Sequence, residues 1–449
     1  MAEENEILKE LEALFPGRVV TPVRYVQESW WPLAWINRSY LGSAVAAVVP
    51  ESVEDVVRLV RFAYERGVPL NIMGGGSSVT GASAPRGGVV VVLKRLNKIR
   101  EVNSRQKYAI AEAGVVLQEL EQVLNQEGLT LGQFPQSIDV ATLGGFISTM
   151  GSGHSSSGYG NVEDVVSRLE VVVPPGEVYW TSFRRVPRSS LGPDLSKIFV
   201  GAEGAFGVIT AAEVKLYDLP KFIWEDSVLF STFEEGVEAV EKLASLDLPP
   251  KMVRLYDELE TAYYTGLEGA VLIFRFATQS KAFLEAARSE VSDILRQGFR
   301  GPELVHKLLQ ERQNYREHIT RILHRGLIVD TVEIAASWDK VADLHRAVKE
   351  ALRGVEGVYF VTAHLSHIYR HGACLYFTIL FMPSESLYFK IWDAVYSEAE
   401  RFGATISHHH GTGVVKQRYL ELEKPAELYR RLKAALDPKG ILNPGRLVP

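Results

Sequence analysis

The feature that most constrains this sequence is a glycine-rich segment placed directly after an apolar strand. Residues 74–81 read Gly-Gly-Gly-Ser-Ser-Val-Thr-Gly and follow the apolar run at residues 68–73. Backbone N–H groups can approach an anion closely where side chains are absent, and successive N–H groups then form a concave anion site. A simple turn would also explain one such segment, because glycine occurs in turns of many kinds.

A second segment favours the phosphate interpretation over the simple turn. Residues 135–161 contain Pro-Gln-Ser, Thr-Leu-Gly-Gly, Gly-Ser-Gly and Gly-Tyr-Gly-Asn, which is too rich in small residues for a mere connection. Neither segment fits the Rossmann pattern of strand, Gly-x-Gly-x-x-Gly, helix and an acidic residue about 20 positions later. The pair predicts a diphosphate cofactor in a different fold.

Hydrophobic periodicity places these segments in alternating strands and helices. Ser52 stands three residues before Asp55, which predicts a helix start. Residues 220–400 alternate strands and helices, are rich in aromatic residues and lack glycine-rich loops. The predicted elements are strands at residues 45–49, 68–73, 109–114 and 168–173, helices at residues 1–15, 52–66, 117–126 and 425–436, and a loop at residues 144–160.

Composition limits the kinds of molecule that the protein is expected to bind and the cellular compartment in which it is expected. The 449 residues carry a net charge of −6, so no basic field indicates nucleic acid. The single cysteine, Cys374, excludes an intramolecular disulfide and a cysteine-based metal cluster. The acidic N-terminus differs from a secretory signal, and the apolar runs are far shorter than the roughly 20 residues needed to span a bilayer. We expect a cytoplasmic protein that binds a small molecule.

Five segments in this order resemble the FAD-binding domain of the vanillyl-alcohol oxidase superfamily, also called the PCMH type: residues 74–81, 113–114, 135–145, 160–164 and 201–210. The resemblance implies an α+β fold, with a two-lobed PCMH-type FAD-binding domain, an α/β cap domain and a C-terminal helical segment. The implied bounds are an N-terminal segment at 1–42, the FAD domain at 43–219 with lobes at 43–103 and 104–219, the cap at 220–400, and at 401–449 a segment that returns to the flavin.

The resemblance also implies the residues that hold FAD. We expect it to be bound non-covalently, because the first loop lacks the histidine through which some members attach the flavin. The implied FAD contacts are Gly74, Gly75, Gly76, Ser77, Ser78, Pro135, Ser137, Thr142, Gly144, Gly145, Ser148, Ser152, Tyr159, Asn161, Glu203, Gly207 and Ile209.

Three further segments, residues 188–194, 372–377 and 407–413, resemble the alkyl-dihydroxyacetonephosphate synthases of ether-lipid synthesis. That resemblance implies an exchange of an acyl group for a fatty alcohol on a dihydroxyacetone phosphate, through a bond to flavin N5 and without net redox change. The implied catalytic residues are Tyr376, His409 and His410, and the implied substrate-binding residues are Arg254, Arg321 and His408, with Arg316 or Arg325 as alternatives to Arg321.

These residue types suit a phosphorylated substrate, because arginines bind phosphate and histidine and tyrosine move protons. Other interpretations stay open. Tyr376 could be a core residue, the arginines could form surface ion pairs, and the tryptophans at positions 30, 31 and 35 could be core, a subunit contact or a tunnel lining. Residues 408–410 could bind a metal, but strand alternation would turn at most two histidines one way, so we expect no metal.

The main alternative function is a FAD-linked 2-hydroxyacid dehydrogenase or oxidase of the D-lactate or glycolate type. Many of those enzymes resemble this chain but carry a metal site with a glutamate where His409 stands and a histidine where Tyr376 stands. A non-catalytic FAD-binding subunit is a third hypothesis, which the retained tyrosine and histidines oppose. We further expect a lipid-like phosphorylated substrate, a homodimer and peripheral contact with a membrane.

Overall fold

The computed structural model describes residues 2–20, 30–186 and 188–447. The remaining residues of the predicted N- and C-terminal segments lie outside this description. The helices are α1 (Ala2–Leu14), α2 (Pro32–Ile36), α3 (Val53–Arg66), α4 (Leu117–Gln126), α5 (Leu143–Ser148), α6 (Ser156–Tyr159), α7 (Val162–Val165), α8 (Ser196–Phe199), α9 (Phe233–Ala244), α10 (Glu258–Thr265), α11 (Lys281–Ile294), α12 (Glu303–Gln313), α13 (Tyr315–His324), α14 (Trp338–Arg353), α15 (Glu385–Phe402) and α16 (Ala426–Leu436).

The strands form three main sheets and one short pair. The strands are β1 (Val19–Val20), β2 (Ala46–Val48), β3 (Leu70–Met73), β4 (Val89–Val92), β5 (Ile99–Asn103), β6 (Tyr108–Glu112), β7 (Leu129–Thr130), β8 (Val166–Val173), β9 (Glu177–Trp180), β10 (Val208–Lys215), β11 (Tyr217–Asp218), β12 (Phe222–Phe230), β13 (Met252–Tyr256), β14 (Ala270–Thr278), β15 (Ile328–Ser337), β16 (Val358–Tyr369) and β17 (Gly372–Phe381).

The first lobe is the sheet β1-β2-β4-β3 with helix α3. Helix α3 starts where the sequence predicts, because Ser52 Oγ accepts a hydrogen bond of 3.2 Å from the backbone N–H of Asp55. It ends at Gly67, whose φ of +66° is a left-handed conformation that glycine adopts without steric cost. Strands β2 and β3 both pair in parallel with β4, so residues 74–81 leave the sheet at its carboxyl edge.

The second lobe is the antiparallel sheet β5-β6-β10-β8-β9. Helix α4 has the bounds that the sequence predicts. The predicted loop at residues 144–160 is partly wrong, because it includes most of α5 and all of α6. Thr142 caps α5 by accepting a hydrogen bond from the backbone N–H of Gly145 at 3.4 Å. The sequence did not predict this helix because two of its residues are glycines, which have a low helix propensity.

The cap is the sheet β12-β14-β13-β16-β17-β15 with its packed helices. One row crosses four of its strands, because Tyr256 pairs with His364, His364 with Tyr376, and Tyr376 with Glu333. Directly opposed residues of paired strands project from the same face of a sheet. The cap therefore presents an imidazole, a phenol and a carboxylate side by side.

The C-terminal segment returns to the first lobe. Asn443 Oδ1 accepts a hydrogen bond of 2.6 Å from the backbone N–H of Ile72, and the guanidinium of Arg446 donates to the carbonyls of Gly81 and Ala82 at 3.1 Å each. Between the cap and helix α16 lies the histidine loop, residues 407–413, which the structure shows as a series of bends rather than a strand. Within the described ranges, no helix has both the length and the apolar character required to cross a membrane.

Candidate active site

A cavity of about 490 Å³ is lined by both lobes, the cap and the histidine loop. This volume falls within the usual range for ligand pockets, about 300–1,000 Å³. One wall consists of the glycine-rich segments, and the opposite wall includes three residues of the row on the cap sheet, Tyr256, His364 and Tyr376. Trp30 and Trp35 also line the cavity, whereas Trp31 is buried in the core of the cap.

The glycines of the wall leave no room for side chains. A Cβ at Gly75 would overlap the carbonyl oxygen of Val140, and a Cβ at Gly74 would overlap Thr142 Oγ1. A Cβ at Gly144 would lie 2.6 Å from the Cβ of Ala113. The two glycine-rich segments therefore pack directly on each other, and their bare backbone forms a surface that suits a diphosphate.

Most of the predicted FAD contacts line this cavity. The exceptions are Tyr159 and Asn161. The carbonyl of Tyr159 accepts from the hydroxyl of Tyr217, and Asn161 Oδ1 accepts from Ser152 Oγ, so both residues lie behind the wall. The residues that do line it are Gly74, Gly75, Gly76, Ser77, Ser78, Pro135, Ser137, Thr142, Gly144, Gly145, Ser148, Ser152, Glu203, Gly207 and Ile209.

Three arginines line the cavity, and two of them, Arg254 and Arg312, have buried nitrogen atoms. Arg254 lies on β13 and Arg312 near the end of α12, and the Nε atoms of both are buried without a hydrogen-bond partner. Within the described chain, neither guanidinium forms an ion pair with a carboxylate. Burial, together with the charge of Arg254, lowers the pKa of Arg312 to about 10. Arg312 therefore stays charged near neutral pH, and both guanidiniums have a donor free for an anion.

Four carboxyl groups line the same cavity, those of Glu203, Glu260, Glu311 and Asp330. Burial raises the pKa of Glu260 to about 8, although Arg254 opposes the rise. Burial likewise raises the pKa of Asp330 to about 7. Near neutral pH the carboxyl group of Glu260 is therefore mostly protonated, and that of Asp330 is about half ionised.

Arg254 is held by a histidine that sequence reasoning missed. Its Nη2 lies 2.7 Å from His364 Nε2, while His364 Nδ1 lies 3.1 Å from both carboxyl oxygens of Glu260. Burial lowers the pKa of His364 well below its usual value, so the neutral ring accepts from arginine and donates to the carboxyl group. The sequence signal was weak, since a histidine in an apolar strand is more often a core residue.

The predicted second arginine, Arg321, does not reach the cavity. Its side chain is 61% exposed and pairs with Glu317 on the same turn of α13. Of the two alternatives, Arg325 lines the cavity, whereas Arg316 pairs with Asp139 at 2.6 Å and stacks on Trp30. Arg312, which sequence reasoning did not consider, also lines the cavity and, like Arg254, has a buried Nε without a partner.

Tyr376 lines the cavity between two imidazoles. Its ring is stacked on His364 with centroids 4.8 Å apart and meets His410 edge-on at 5.5 Å. Thr378, two residues further along β17, lines the same cavity, in agreement with strand alternation. Burial raises the pKa of the Tyr376 phenol, so the side chain is a neutral hydroxyl that can donate or accept a hydrogen bond.

The histidine loop brings its rings together, contrary to the expected strand alternation. The ring centroids of His409 and His410 are 4.5 Å apart, and both rings line the cavity. His408 lies behind them, with Nε2 at 2.7 Å from the hydroxyl of Tyr369. The structure therefore places His408 outside the cavity, in contact with a residue that supports the loop.

The same loop forms a cluster that has the ligand types of a metal site. Ring nitrogens of His367, His408 and His409 all lie within 4.8 Å of one another. The Nδ1 atoms of His408 and His409 are only 2.9 Å apart, however, which is a hydrogen-bond distance. Two histidine ligands of one tetrahedral zinc ion hold their nitrogens about 3.3 Å apart, so the cluster as it stands is a hydrogen-bonded group.

The family comparisons agree with the two halves of this site. A family model described as FAD binding domain matches residues 44–182, and one described as FAD linked oxidases, C-terminal domain, matches residues 224–447. The alkyldihydroxyacetonephosphate synthase of Dictyostelium discoideum is 31% identical over 454 residues, which cover 90% of this chain and 73% of that protein. This chain belongs to the alkyldihydroxyacetonephosphate synthase-like branch of the FAD-binding flavoproteins.

Members of this branch and its neighbours share the whole architecture. A solved alkyldihydroxyacetonephosphate synthase matches with a TM-score of 0.81 at 26% identity, covering 98% of this chain and 85% of that one. The α+β fold with a PCMH-type FAD-binding domain is thereby confirmed. A D-lactate dehydrogenase of Archaeoglobus fulgidus is 27% identical over 417 residues, covering 89% of this chain and 90% of that protein. The chain is therefore similar to both kinds of predicted relative, and the residues at the cavity must distinguish them.

Proposed function

We propose that this protein is an FAD-dependent enzyme that exchanges the acyl group of an acylated dihydroxyacetone phosphate for a fatty alcohol, without net redox change. The observation that carries the proposal is the pair of arginines, Arg254 and Arg312, at the wall of a cavity that is also lined by glycine-rich FAD loops. Both guanidiniums have an unpartnered buried Nε. A phosphomonoester dianion is the ligand that best uses two such groups.

The rest of the cavity supports this class of substrate. His154 adds a further buried ring nitrogen without a partner, and Glu260 adds little negative charge near neutral pH. Apolar side chains also line the cavity and would suit an alkyl chain: Leu308, Leu309, Ile319, Ile322, Phe360 and Leu380.

FAD fits the opposite wall, where backbone replaces side chains. We propose that the glycine-rich loops hold it non-covalently, since residues 74–81 offer no histidine for attachment. When bound, FAD would supply N5 as the centre against which C1 of the substrate is held. The residues of the chain have three tasks: to bind the phosphate, to orient the substrate and to move a proton.

We propose that proton transfer falls to Tyr376 with His409 and His410. All three line the cavity, and the phenol contacts the rings of both histidines. Burial lowers the pKa of His409 well below its usual value, so this ring is neutral and can accept or donate a single hydrogen bond. A buried tyrosine between histidines is a suitable relay for a hydroxyl proton.

A FAD-linked 2-hydroxyacid dehydrogenase is the second candidate, and the D-lactate dehydrogenase relative favours it. Such an enzyme would bind a carboxylate, which needs one arginine rather than two. The two buried arginines and the apolar residues that line the cavity support the ether-lipid reaction more strongly. We also keep the homodimer and the peripheral membrane contact as predictions, to be tested by light scattering and vesicle sedimentation.

The deciding experiment is anaerobic. The FAD-loaded protein is mixed either with palmitoyl-dihydroxyacetone phosphate plus hexadecanol or with D-lactate or glycolate, while the flavin spectrum and the products are recorded. The proposal predicts hexadecyl-dihydroxyacetone phosphate and free palmitate in equal amounts, with no lasting change in the flavin redox state. Stoichiometric bleaching by a hydroxyacid without ether formation would establish the second candidate instead.

A further inference from the structure

Glu333 lies behind the histidine loop and is completely buried. Its Oε1 accepts hydrogen bonds from three consecutive backbone N–H groups, those of residues 408–410, at 3.2, 3.2 and 3.0 Å. Lys416 Nζ donates to both carboxyl oxygens, at 2.7 and 2.9 Å. A buried carboxylate with this many donors is fixed in place and stays ionised.

A second buried carboxylate holds the other end of the loop. Glu203, which comes from the FAD-binding region, accepts from the backbone N–H groups of Thr412 at 2.6 Å and Gly413 at 2.9 Å. Its backbone φ of +47° is uncommon for a residue with a side chain, so the surrounding contacts must hold it there. The loop is thus fixed from the cap by Glu333 and from the FAD side by Glu203.

The three histidine rings differ in their contacts with the carboxylate of Glu333. Its Oε2 lies 3.1 Å from His410 Nδ1, an ion-pair distance although the atoms are not aligned for a linear hydrogen bond. The Nδ1 atoms of His408 and His409 instead face each other at 2.9 Å. Burial lowers the pKa of His408 to about 4 and that of His409 well below its usual value. Only His410 has an anion beside its ring.

The other titratable groups around this pair add little charge. Burial raises the pKa of Tyr376, Cys374 and Tyr396, so the groups that face Glu333 from β17 and from α15 are neutral. Lys416 Nζ contacts both oxygens of the same carboxylate. Burial alone would raise the pKa of Glu333, yet His410 and Lys416 hold it well below its usual value.

We propose that Glu333 is a positioning residue that makes His410, rather than His408 or His409, the histidine that holds and delivers the proton at the cavity. Nδ1 of His410 would face the carboxylate, which leaves Nε2 to exchange protons with the substrate. This inference rests on the proposed function for its chemistry, although the charge state of His410 can be measured without any substrate.

In the proposed exchange the bond between C1 and the ester oxygen breaks, with its electron pair on the departing carboxylate. A pair on the alcohol oxygen forms the new bond to C1. The alcohol proton passes to His410 Nε2 and then to the carboxylate of the departing fatty acid, so the fatty acid leaves neutral. No oxidant or reductant is consumed, and Glu333 stabilises the imidazolium in between.

Two variants that break the same buried ion pair test the proposal. Glu333→Gln removes a negative charge from the surroundings of His410, whereas Lys416→Met removes a positive one. Selective ¹³Cε1-histidine labelling, with His410→Asn for assignment, follows the protonation of this ring by NMR. We expect the titration midpoint of His410 to fall by about one pH unit or more in Glu333→Gln and to rise in Lys416→Met.

If Glu333 had a purely structural role, the two variants would change the titration midpoint of His410 in the same way. Equal shifts in one direction, or an unchanged midpoint in Glu333→Gln, would overturn the proposal. Glu333→Gln with Lys416→Met replaces the ion pair by a neutral pair of similar size, and it supplies the measurement if either single variant fails to fold. In the double variant the midpoint should again lie below that of the wild type.

Turnover gives an independent readout. In Glu333→Gln the exchange should slow by about 10²-fold or more, with FAD occupancy and the KM for the phosphorylated substrate little changed. Glu333→Asp should recover part of the rate. If the wild-type protein performs no exchange at all, the proposed function fails while the NMR result still decides the role of Glu333.

Discussion

The imidazole of His364 lies parallel to the phenol of Tyr376, with ring centroids 4.8 Å apart and an angle of 19° between their planes. This stack fixes the direction of the phenol without using its hydroxyl. Tyr376→Phe should therefore keep the ring in place and remove only the hydroxyl that is proposed to exchange protons. We expect the exchange rate to fall about 10²–10⁴-fold while the thermal midpoint and the FAD content stay near those of the wild type.

Tyr396→Phe is the matched control for this variant. The hydroxyl of Tyr396 is buried on α15 without a hydrogen-bond partner among the described residues, and the residue does not line the cavity. Its removal should leave the exchange rate unchanged. Near-normal exchange in Tyr376→Phe, measured beside this control, would assign Tyr376 to the core instead of the mechanism.

Arg312 and Arg321 provide a matched pair for phosphate binding. Arg312 faces the cavity, whereas Arg321 is exposed on α13 and pairs with Glu317. Arg312→Met should weaken binding of dihydroxyacetone phosphate by about 2 kcal/mol or more, because a charge-assisted contact at a partly buried site is lost. Arg321→Met should bind as the wild type does. Calorimetry on the FAD-loaded protein measures both, and an equal loss in the two variants would refute the assignment.

Arg254→Ala should lose at least as much affinity as Arg312→Met. The reason is that His364 and Glu260 already hold the guanidinium in place, so little conformational entropy is lost when the phosphate binds. His364→Phe keeps an aromatic ring on β16 but removes the acceptor at 2.7 Å. It should weaken phosphate binding less than Arg254→Ala does, and a larger loss would mean that His364 contacts the ligand itself.

Gly75 tests the wall on which FAD is proposed to lie. A Cβ there would overlap the carbonyl oxygen of Val140, so Gly75→Ala must push the two glycine-rich segments apart. The flavin released by acid precipitation should fall well below one equivalent per chain. Gly354→Ala is the control, because its new methyl group would have its nearest neighbour at 3.6 Å. Full occupancy in Gly75→Ala would argue against binding at this wall.

Asp330 should make stability depend on pH in the direction opposite to that of most carboxylates. Its pKa is about 7 in the folded protein because of burial, against an ordinary value of 3.8. The folded state therefore binds an extra proton between about pH 4 and pH 7. The stabilisation is fully present below about pH 4 and is lost as the pH rises to about 7.

Asp330→Asn removes this ionisation but keeps a side chain that can accept from Trp392 Nε1. Relative to the variant, the wild type should lose up to about 4 kcal/mol of unfolding free energy between pH 4 and pH 7. Denaturant titrations across that range measure the difference. Asp343→Asn, at an exposed position on α14, is the control and should follow the wild type. Parallel curves for Asp330→Asn and wild type would contradict the shifted ionisation.

The histidine cluster should remain free of metal in the purified protein. His408 and His409 share a hydrogen bond at 2.9 Å that a metal ion would have to break. Elemental analysis should find far less than one equivalent of zinc, iron or manganese per chain. Treatment with a chelator should leave the exchange rate unchanged, whereas loss of rate that zinc restores would reinstate the metal site.

Local patterns predicted the parts of the site that depend on neighbours in sequence. Alternation along β17 placed Tyr376 and Thr378 on one face, and the glycine-rich segments predicted the wall on which FAD is proposed to lie. The helix cap at Ser52 was readable because capping depends on residues three positions apart. Each of these inferences concerns groups that the backbone geometry of one element brings together.

The contacts that sequence reasoning missed join distant parts of the chain. Glu333 meets residues 408–410 across about 75 positions, and Glu203 meets Thr412 across 209. No sequence pattern near Glu333 predicts those partners, because a single acidic residue in an alternating strand usually faces solvent. The histidine loop was misread as a strand for the same reason: its bends are imposed by two carboxylates from elsewhere in the fold.

The hydrogen bonds that hold the histidine loop from both sides have a consequence for folding during synthesis on the ribosome. Glu203 and Glu333 are both synthesised before the loop whose backbone N–H groups donate to their carboxylates. Each carboxylate therefore lacks these donors until the ribosome has made residues 408–413. A nascent chain can complete both glycine-rich segments while it still lacks the histidines that are proposed to move protons. Truncated chains that end before residue 407 and acquire flavin would therefore be coloured but inactive.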